Sequence, residues 1–232
     1  MSSAEFDGYV AQYARDHARS IRLSGETPDF FAEHKIRVLS DLCRRWDMAA
    51  PRVLDFGSGM GASLPPLRRL MPRARVSAAD VSGESLRMAR VLHGGDEPQL
   101  RIADGRIPAE DGAFDIVFAA CVFHHIDHDE HVAWLRELRR VTAPGGRAVI
   151  FEHNPWNPLT RHAVRTCPFD VNAHLLTAAQ LRARLAAAGW AEPRTDYHLF
   201  FPAALARLRP LEPALRWCGL GAQYVCHARR DA

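Results

Sequence analysis

Val53-Leu54-Asp55-Phe56-Gly57-Ser58-Gly59-Met60-Gly61 is a short apolar run that carries one acid and stops on three alternate glycines. The apolar part reads as a strand buried on both faces, and the glycines as a tight turn leading into a helix. Downstream the alternation repeats. A helical stretch at 62–70 stops before Pro72, and 75–79 reads as a second strand closing on Asp80. Ser82 is placed to cap a helix carrying Leu86, Ala89 and Leu92. Residues 99–103 form a third predicted strand ending at Asp104, and 114–119 a fourth. A helix at 129–141 has Val132, Leu135, Leu138 and Val141 at three-residue steps, and Pro144-Gly145-Gly146 turns the chain into a fifth strand at 147–151. Strands alternating with helices predict a parallel sheet covered on both faces, an α/β fold of the Rossmann-like, doubly wound kind.

Outside this core the pattern loosens. Upstream, 30–46 has helical spacing, with Asp29 at its start. Residues 154–176 are rich in proline and asparagine with no clean period and read as an insertion. A helix at 177–188, closed by Gly189, and strands at 195–201 and 222–228 follow. Between those strands lies an arginine- and leucine-rich piece broken by Pro210 and Pro213. No linker is visible, so 1–232 reads as one domain. Residues 1–50 are a helical cover, 51–152 the ligand-binding core, and 153–176 and 202–219 insertions on the ligand side.

Composition narrows the class. Of 232 residues, 47% are hydrophobic and 25% charged, which suits a packed globular core rather than a disordered chain. No apolar run is long enough to span a bilayer, and the start lacks a secretory apolar core, so a cytoplasmic location is expected. The five cysteines show no C-x-x-C spacing and read as free thiols. The net charge of +3 comes from scattered arginines, without the dense basic stripe that a nucleic-acid partner requires.

The acid before the glycines sharpens the chemistry. A dinucleotide site aims its glycine turn at a pyrophosphate, which Asp55 would repel. A phosphate-free ligand bearing an ammonium and a carboxylate suits it better: Asp55 faces the cation, while Gly57, Ser58, Gly59 and Gly61 offer backbone N–H groups or close approach. Asp80, 19 residues after Gly61, stands where a doubly wound sheet puts the acid for a ribose diol, with Val81 beside it. Asp104 and the Gly105 N–H suit an adenine edge.

VLDFGSGMG, then AAD, then IADGRIPAEDGAFDIVFAACVFHHI, then LRRVTAPGGRAVIFEHNPWNP resemble, in that order, the class I S-adenosylmethionine-dependent methyltransferases that act on small molecules. The resemblance is close over 51–151 and looser beyond. It implies a seven-stranded sheet with its last strand antiparallel, S-adenosylmethionine as methyl donor, and a donor contact at Ala120. It also implies an N-terminal aromatic over the site, for which Tyr9 and Tyr13 are candidates. The EHNPxNPLT and CPFD blocks further resemble enzymes of glycan or secondary-metabolite biosynthesis.

Methyl transfer is an in-line displacement that depends on positioning, and a hydroxyl acceptor must also lose a proton to a group such as histidine. His153, after the fifth strand, is the first candidate base, and His124, after the fourth, the second. His125 reads as packing, and Glu152 as either an orienting group for His153 or a strand end. Asp115 reads as structural. His128 and His131 lie in a polar helix start that reads as solvated, so no metal site is expected. Arg161, Arg165 and His174 suit an anionic acceptor or a solvated face, and the solvated face is preferred. The apolar and arginine-rich stretch 199–220 reads as a second lid or dimer contact rather than a membrane-bound surface. The acceptor is expected to be a small molecule, anionic or partly apolar, with methylation on oxygen favoured and nitrogen or carbon as alternatives, and the chain a monomer or homodimer. Two other classes stay open: a nicotinamide-dependent oxidoreductase, against which Asp55 and the glycine spacing speak, and a catalytically silent binder of the same nucleoside.

Overall fold

A computed structural model of the chain describes residues 21–167 and 172–231. Its centre is a seven-stranded sheet: β1 (Arg52–Phe56), β2 (Arg75–Asp80), β3 (Gln99–Arg101), β4 (Phe114–Ala120), β5 (Thr142–His153), β6 (Ala191–His198) and β7 (Gln223–Arg229). The spatial order is β3-β2-β1-β4-β5-β7-β6, and β7 runs antiparallel to both β5 and β6. This is the predicted Rossmann-like sheet with its antiparallel last strand.

Helices pack on both faces: α1 (Pro28–Arg45), α2 (Leu64–Leu70), α3 (Gly83–His93), α4 (His131–Val141), α5 (Pro158–Thr166), α6 (Ala178–Ala187) and the short α7 (Glu212–Leu215). Side chains alternate across a strand. Val53, Ile116, Phe118, Val149 and Phe151 therefore meet Ile36, Leu39 and Leu42 of α1 and Leu67 of α2 on one face. Leu54, Val117, Ala119 and Ile150 meet Leu135 and Leu138 of α4 and Leu181 and Leu185 of α6 on the other. That double burial is why the central strands are almost continuously apolar.

Several boundaries differ from the sequence reading. The cap of α1 is Thr27, whose hydroxyl accepts from the Phe30 N–H, and Asp29 lies inside the first turn. The fifth strand begins at Thr142, because the segment with Pro144-Gly145-Gly146 is absorbed as an irregularity between the Phe114–Thr142 and Ile116–Arg147 pairs. The sixth strand starts four residues earlier than read and ends at His198. It is an edge strand, so Pro193 is tolerated where the pairing register shifts. Leu199 then turns to a φ of 63°, and the Phe200 and Phe201 N–H groups donate to Glu212 Oε1, leaving the sheet. The insertion after β5 contains a helix, α5, capped by the Asn157 side chain on the Thr160 N–H.

Two polar assignments also change or sharpen. His131 is fully buried, not solvated: it bonds the Ile126 carbonyl through Nε2 and receives the Arg184 guanidinium at Nδ1. Asp115 ties the strand starts together by accepting from the Arg52 N–H at 2.8 Å and from its guanidinium. Among the described residues, no helix is long and apolar enough to cross a membrane.

Candidate functional site

The strand order reverses between β1 and β4, and a doubly wound sheet opens a crevice outside the carboxyl ends of its strands at such a point. A cavity of about 1540 Å³ lies there. Its floor is the turn after β1 and the segment after β4. Gly57 and Ser58 donate their N–H groups to the Ala79 carbonyl, which folds the turn back over β2. Gly57 has a φ of +69°, and a Cβ there would sit 2.6 Å from Val122 Cγ2, so only glycine fits between the two loops. Gly61, at φ +80°, serves packing instead: its missing Cβ makes room for Ala89 of α3, and it does not line the cavity.

Asp55 is 1% exposed at the end of β1 and lines the cavity. Its Oδ2 is buried with no hydrogen-bond partner among the described residues, and so is the Ser58 hydroxyl. Burial, reinforced by the nearby Asp80 charge and only partly offset by Ser63, pushes the Asp55 carboxyl up to about 7. An unsatisfied carboxylate of this kind calls for a cationic ligand group. Asp80 also lines the cavity. Its Oδ2 accepts from the Gly59 N–H and its Oδ1 from the Ser82 N–H, both at 2.8 Å, so it holds the glycine turn in shape. Val81 and Ala120 line the same wall.

Asp104 and Gly105 behave otherwise. They form an exposed tight turn, with φ of 50° and 69°, and neither lines the cavity; Ile102 does. The end of β3 is short, so the chain turns away before the acid can face inward. Another non-glycine residue with left-handed backbone, Cys121 at φ 60°, directly follows β4 and does line the cavity. Such strain concentrates at functional sites, yet no sequence pattern announces it.

The two candidate histidines meet. Their ring centroids are 5.2 Å apart, and both line the cavity. His124 is 1% exposed, and its Nδ1 lies 2.6 Å from Glu152 Oε2; Glu152 Oε1 accepts from the Phe123 N–H at 2.7 Å. Glu152 thus orients His124, and its charge also bears on His153. Burial alone would raise the Glu152 carboxyl, but the charge and hydrogen bond of His124, the charge of His153 and the Phe123 N–H outweigh it and hold the carboxyl below its usual range.

The outer wall comes from segments far apart in sequence. Phe30 and Phe31 of α1, Leu159, Thr160 and Ala163 of α5, and Leu199 to Pro202 after β6 face the same space. The insertion after β5 is stitched to the chain before β7: Asn154 Nδ2 donates to the Gly219 and Gly221 carbonyls, and Thr160 Oγ1 to the Ala222 carbonyl. Sequence reading missed the aromatic pair of α1 because both residues fit an ordinary helix face. Arg161, Arg165 and His174 are exposed and do not line the cavity. Tyr9 and Tyr13 lie outside the described residues.

Comparison with known proteins fits this geometry. Residues 54–150 match the methyltransferase domain family. The chain is 33% identical over 163 residues to trans-aconitate 2-methyltransferase of Azoarcus sp., covering 69% of this chain and 62% of that one. It is 38% identical over 112 residues to demethylmenaquinone methyltransferase of Thermus thermophilus, covering 47% and 50%. The matched stretch thus spans about half the length of these curated relatives. Among solved structures, a methyltransferase of Thermotoga maritima described as a possible histamine N-methyltransferase superposes with a TM-score of 0.69 at 19% identity, covering 97% of this chain and 98% of that one. At that identity the likeness speaks for the fold.

Proposed function

We propose that this chain, which belongs to the class I S-adenosylmethionine-dependent methyltransferases, transfers a methyl group to a small-molecule acceptor held in the cavity above β1 and β4. The observation that carries the reading is the buried, unpartnered Asp55 carboxylate oxygen beside the glycine turn. It suits the ammonium of the donor's amino-acid end and would repel a pyrophosphate. Asp80 has lone pairs left after its two backbone bonds and is suited to the ribose hydroxyls. When bound, S-adenosylmethionine supplies an electrophilic methyl carbon attached to a sulfonium.

The chain's own part is positioning and proton handling. His153 is half-buried, faces the cavity and is suited to accept the proton of an acceptor hydroxyl. Glu152 already bears on it electrostatically, so the imidazolium formed would meet a buried carboxylate. His124, locked to Glu152, holds that carboxylate in place. An oxygen acceptor is therefore the reading that these histidines support. The curated relatives are named for trans-aconitate and demethylmenaquinone, which supports a small-molecule acceptor. Because Asp104 and Gly105 stand outside the cavity wall, an adenine-edge role for them would require their turn to shift toward the ligand.

The test is calorimetry with S-adenosylhomocysteine against NAD. Binding of the first and not the second is expected, and the reverse would replace this reading with a nicotinamide enzyme. Asp80→Ala is expected to weaken S-adenosylhomocysteine at least about tenfold, because it removes a charged acceptor and frees the glycine turn. Wild-type affinity in that variant would remove Asp80 from the site. With an acceptor found by screening transfer from labelled donor, His153→Ala is expected to slow turnover by about 10²–10⁴-fold while S-adenosylhomocysteine affinity stays as in wild type. Unchanged turnover would exclude His153 as the base.

A further inference from the structure

Among the 30 basic Lys and Arg residues of this chain, 29 are arginine and one, Lys35, is lysine. A composition that uses arginine almost everywhere has kept a lysine at one position, and that position is not on the surface. Lys35 lies on α1, one turn after Phe31, is 8% exposed, and lines the cavity. The other two side chains of fixed positive charge in the cavity wall are already paired. Arg69 meets Glu33 at 2.5 Å, and Arg209 meets Glu26 at 2.5 Å while lying over the Phe30 ring. Lys35 has no ion pair or hydrogen bond with a side chain or carbonyl among the described residues. The stem is packed away while the side chain borders the cavity, so the charge it carries is offered to whatever the cavity holds. Lysine and arginine are not equivalent there, because the ammonium is a compact point charge and the guanidinium a broad fork. Among the described residues nothing complements its charge, which leaves it open to an anionic ligand.

We propose that Lys35 is the anion-holding residue of this cavity and pairs with a carboxylate brought in by a ligand. Two sources share that chemistry: the amino-acid carboxylate of the methyl donor, and a carboxylate on the acceptor. Phe30, Phe31, Phe200 and Phe201 line the same space and suit a planar, apolar body behind the acceptor's anion. The inference rests on the methyltransferase reading only for the identity of the donor; the pairing of an ammonium with a carboxylate stands independently of it.

The experiment compares wild type with Lys35→Met, which keeps length and loses charge. Each is titrated calorimetrically with S-adenosylhomocysteine, with 5′-methylthioadenosine, which lacks the amino-acid end, and with sodium benzoate against benzamide. Lys35→Met is expected to lose about tenfold or more in affinity for at least one carboxylate probe and to keep its affinity for the uncharged counterpart. A loss confined to S-adenosylhomocysteine assigns the donor's carboxylate, and a loss confined to benzoate assigns an acceptor's. Should the variant not fold, lysine-selective isotope labelling of the wild type gives one side-chain resonance. It is expected to shift with the carboxylate probes and not with their uncharged partners. Equal affinities of Lys35→Met and wild type for both carboxylates, or a resonance that moves with neither, overturns the proposal. A wild type that binds neither nucleoside overturns the methyltransferase reading instead, while the benzoate arm still decides the role of Lys35.

Discussion

Asp55→Asn is expected to raise the melting temperature of the ligand-free protein at pH 8 and to abolish its binding of S-adenosylhomocysteine. Asp55 is buried, one of its oxygens has no partner among the described residues, and its carboxyl is moved from 3.8 to about 7. Keeping that group ionised costs the fold on the order of 4 kcal/mol. Asparagine removes the charge at nearly constant volume, so a gain of roughly 8–16 °C is expected. The sign follows from linkage. A carboxyl raised in the folded state binds its proton more tightly there than in the unfolded chain, so wild-type stability falls as pH rises from about 4 to about 7 and is level above. The advantage of Asp55→Asn is therefore absent near pH 4 and complete near pH 8. Binding runs the other way. An ammonium ligand needs the ionised carboxyl, so wild-type affinity for S-adenosylhomocysteine drops about tenfold between pH 8 and pH 6. Scanning calorimetry across pH and titration at the two end points check both halves. A variant that melts lower than wild type at pH 8, or that still binds, removes Asp55 from the role assigned to it.

The second large effect is the opposite in direction. Glu152→Ala is expected to destabilise the protein by about 3–5 kcal/mol, on the order of 10 °C in melting temperature. Glu152 is fully buried and holds both the Phe123 N–H and His124 Nδ1, so its removal strands two buried polar groups at once. Because its carboxyl is held below the usual value, this stabilisation is present above about pH 4.5 and fades as acid protonates the group. The difference between variant and wild type shrinks accordingly at low pH. Glu152→Leu combined with His124→Leu is expected to lose less than the sum of the single changes, since neither partner is then left alone. Chemical denaturation of the four proteins measures this coupling. Additive losses would mean that the pair does not act as a unit.

The fold was largely legible because its signals are short-range. Strand 53–56 and the glycine turn identify themselves by composition, and Ser82 caps its helix as its side chain allows. Strand β6 was misread by several residues because Glu192, Pro193 and Arg194 look like loop, and only an edge position makes them acceptable in a sheet. In the candidate site, Asp55, Asp80 and His153 were singled out from their places at strand ends, and they do face one cavity. Asp104 was singled out on the same logic and faces solvent, since where β3 stops depends on its pairing with β2 and not on its own residues.

By itself, then, the sequence determined the alternation of strands and helices, the glycine turn and the acids that flank it, because periodicity and turn chemistry act between residues a few positions apart. Tertiary structure alone decided that Glu152 grips His124, that His131 is interior, and that a lysine of α1 looks into the same space as the loop after β6. Those outcomes depend on which distant segments pack together and on how much water the packing removes, and neither is written in any local stretch of chain.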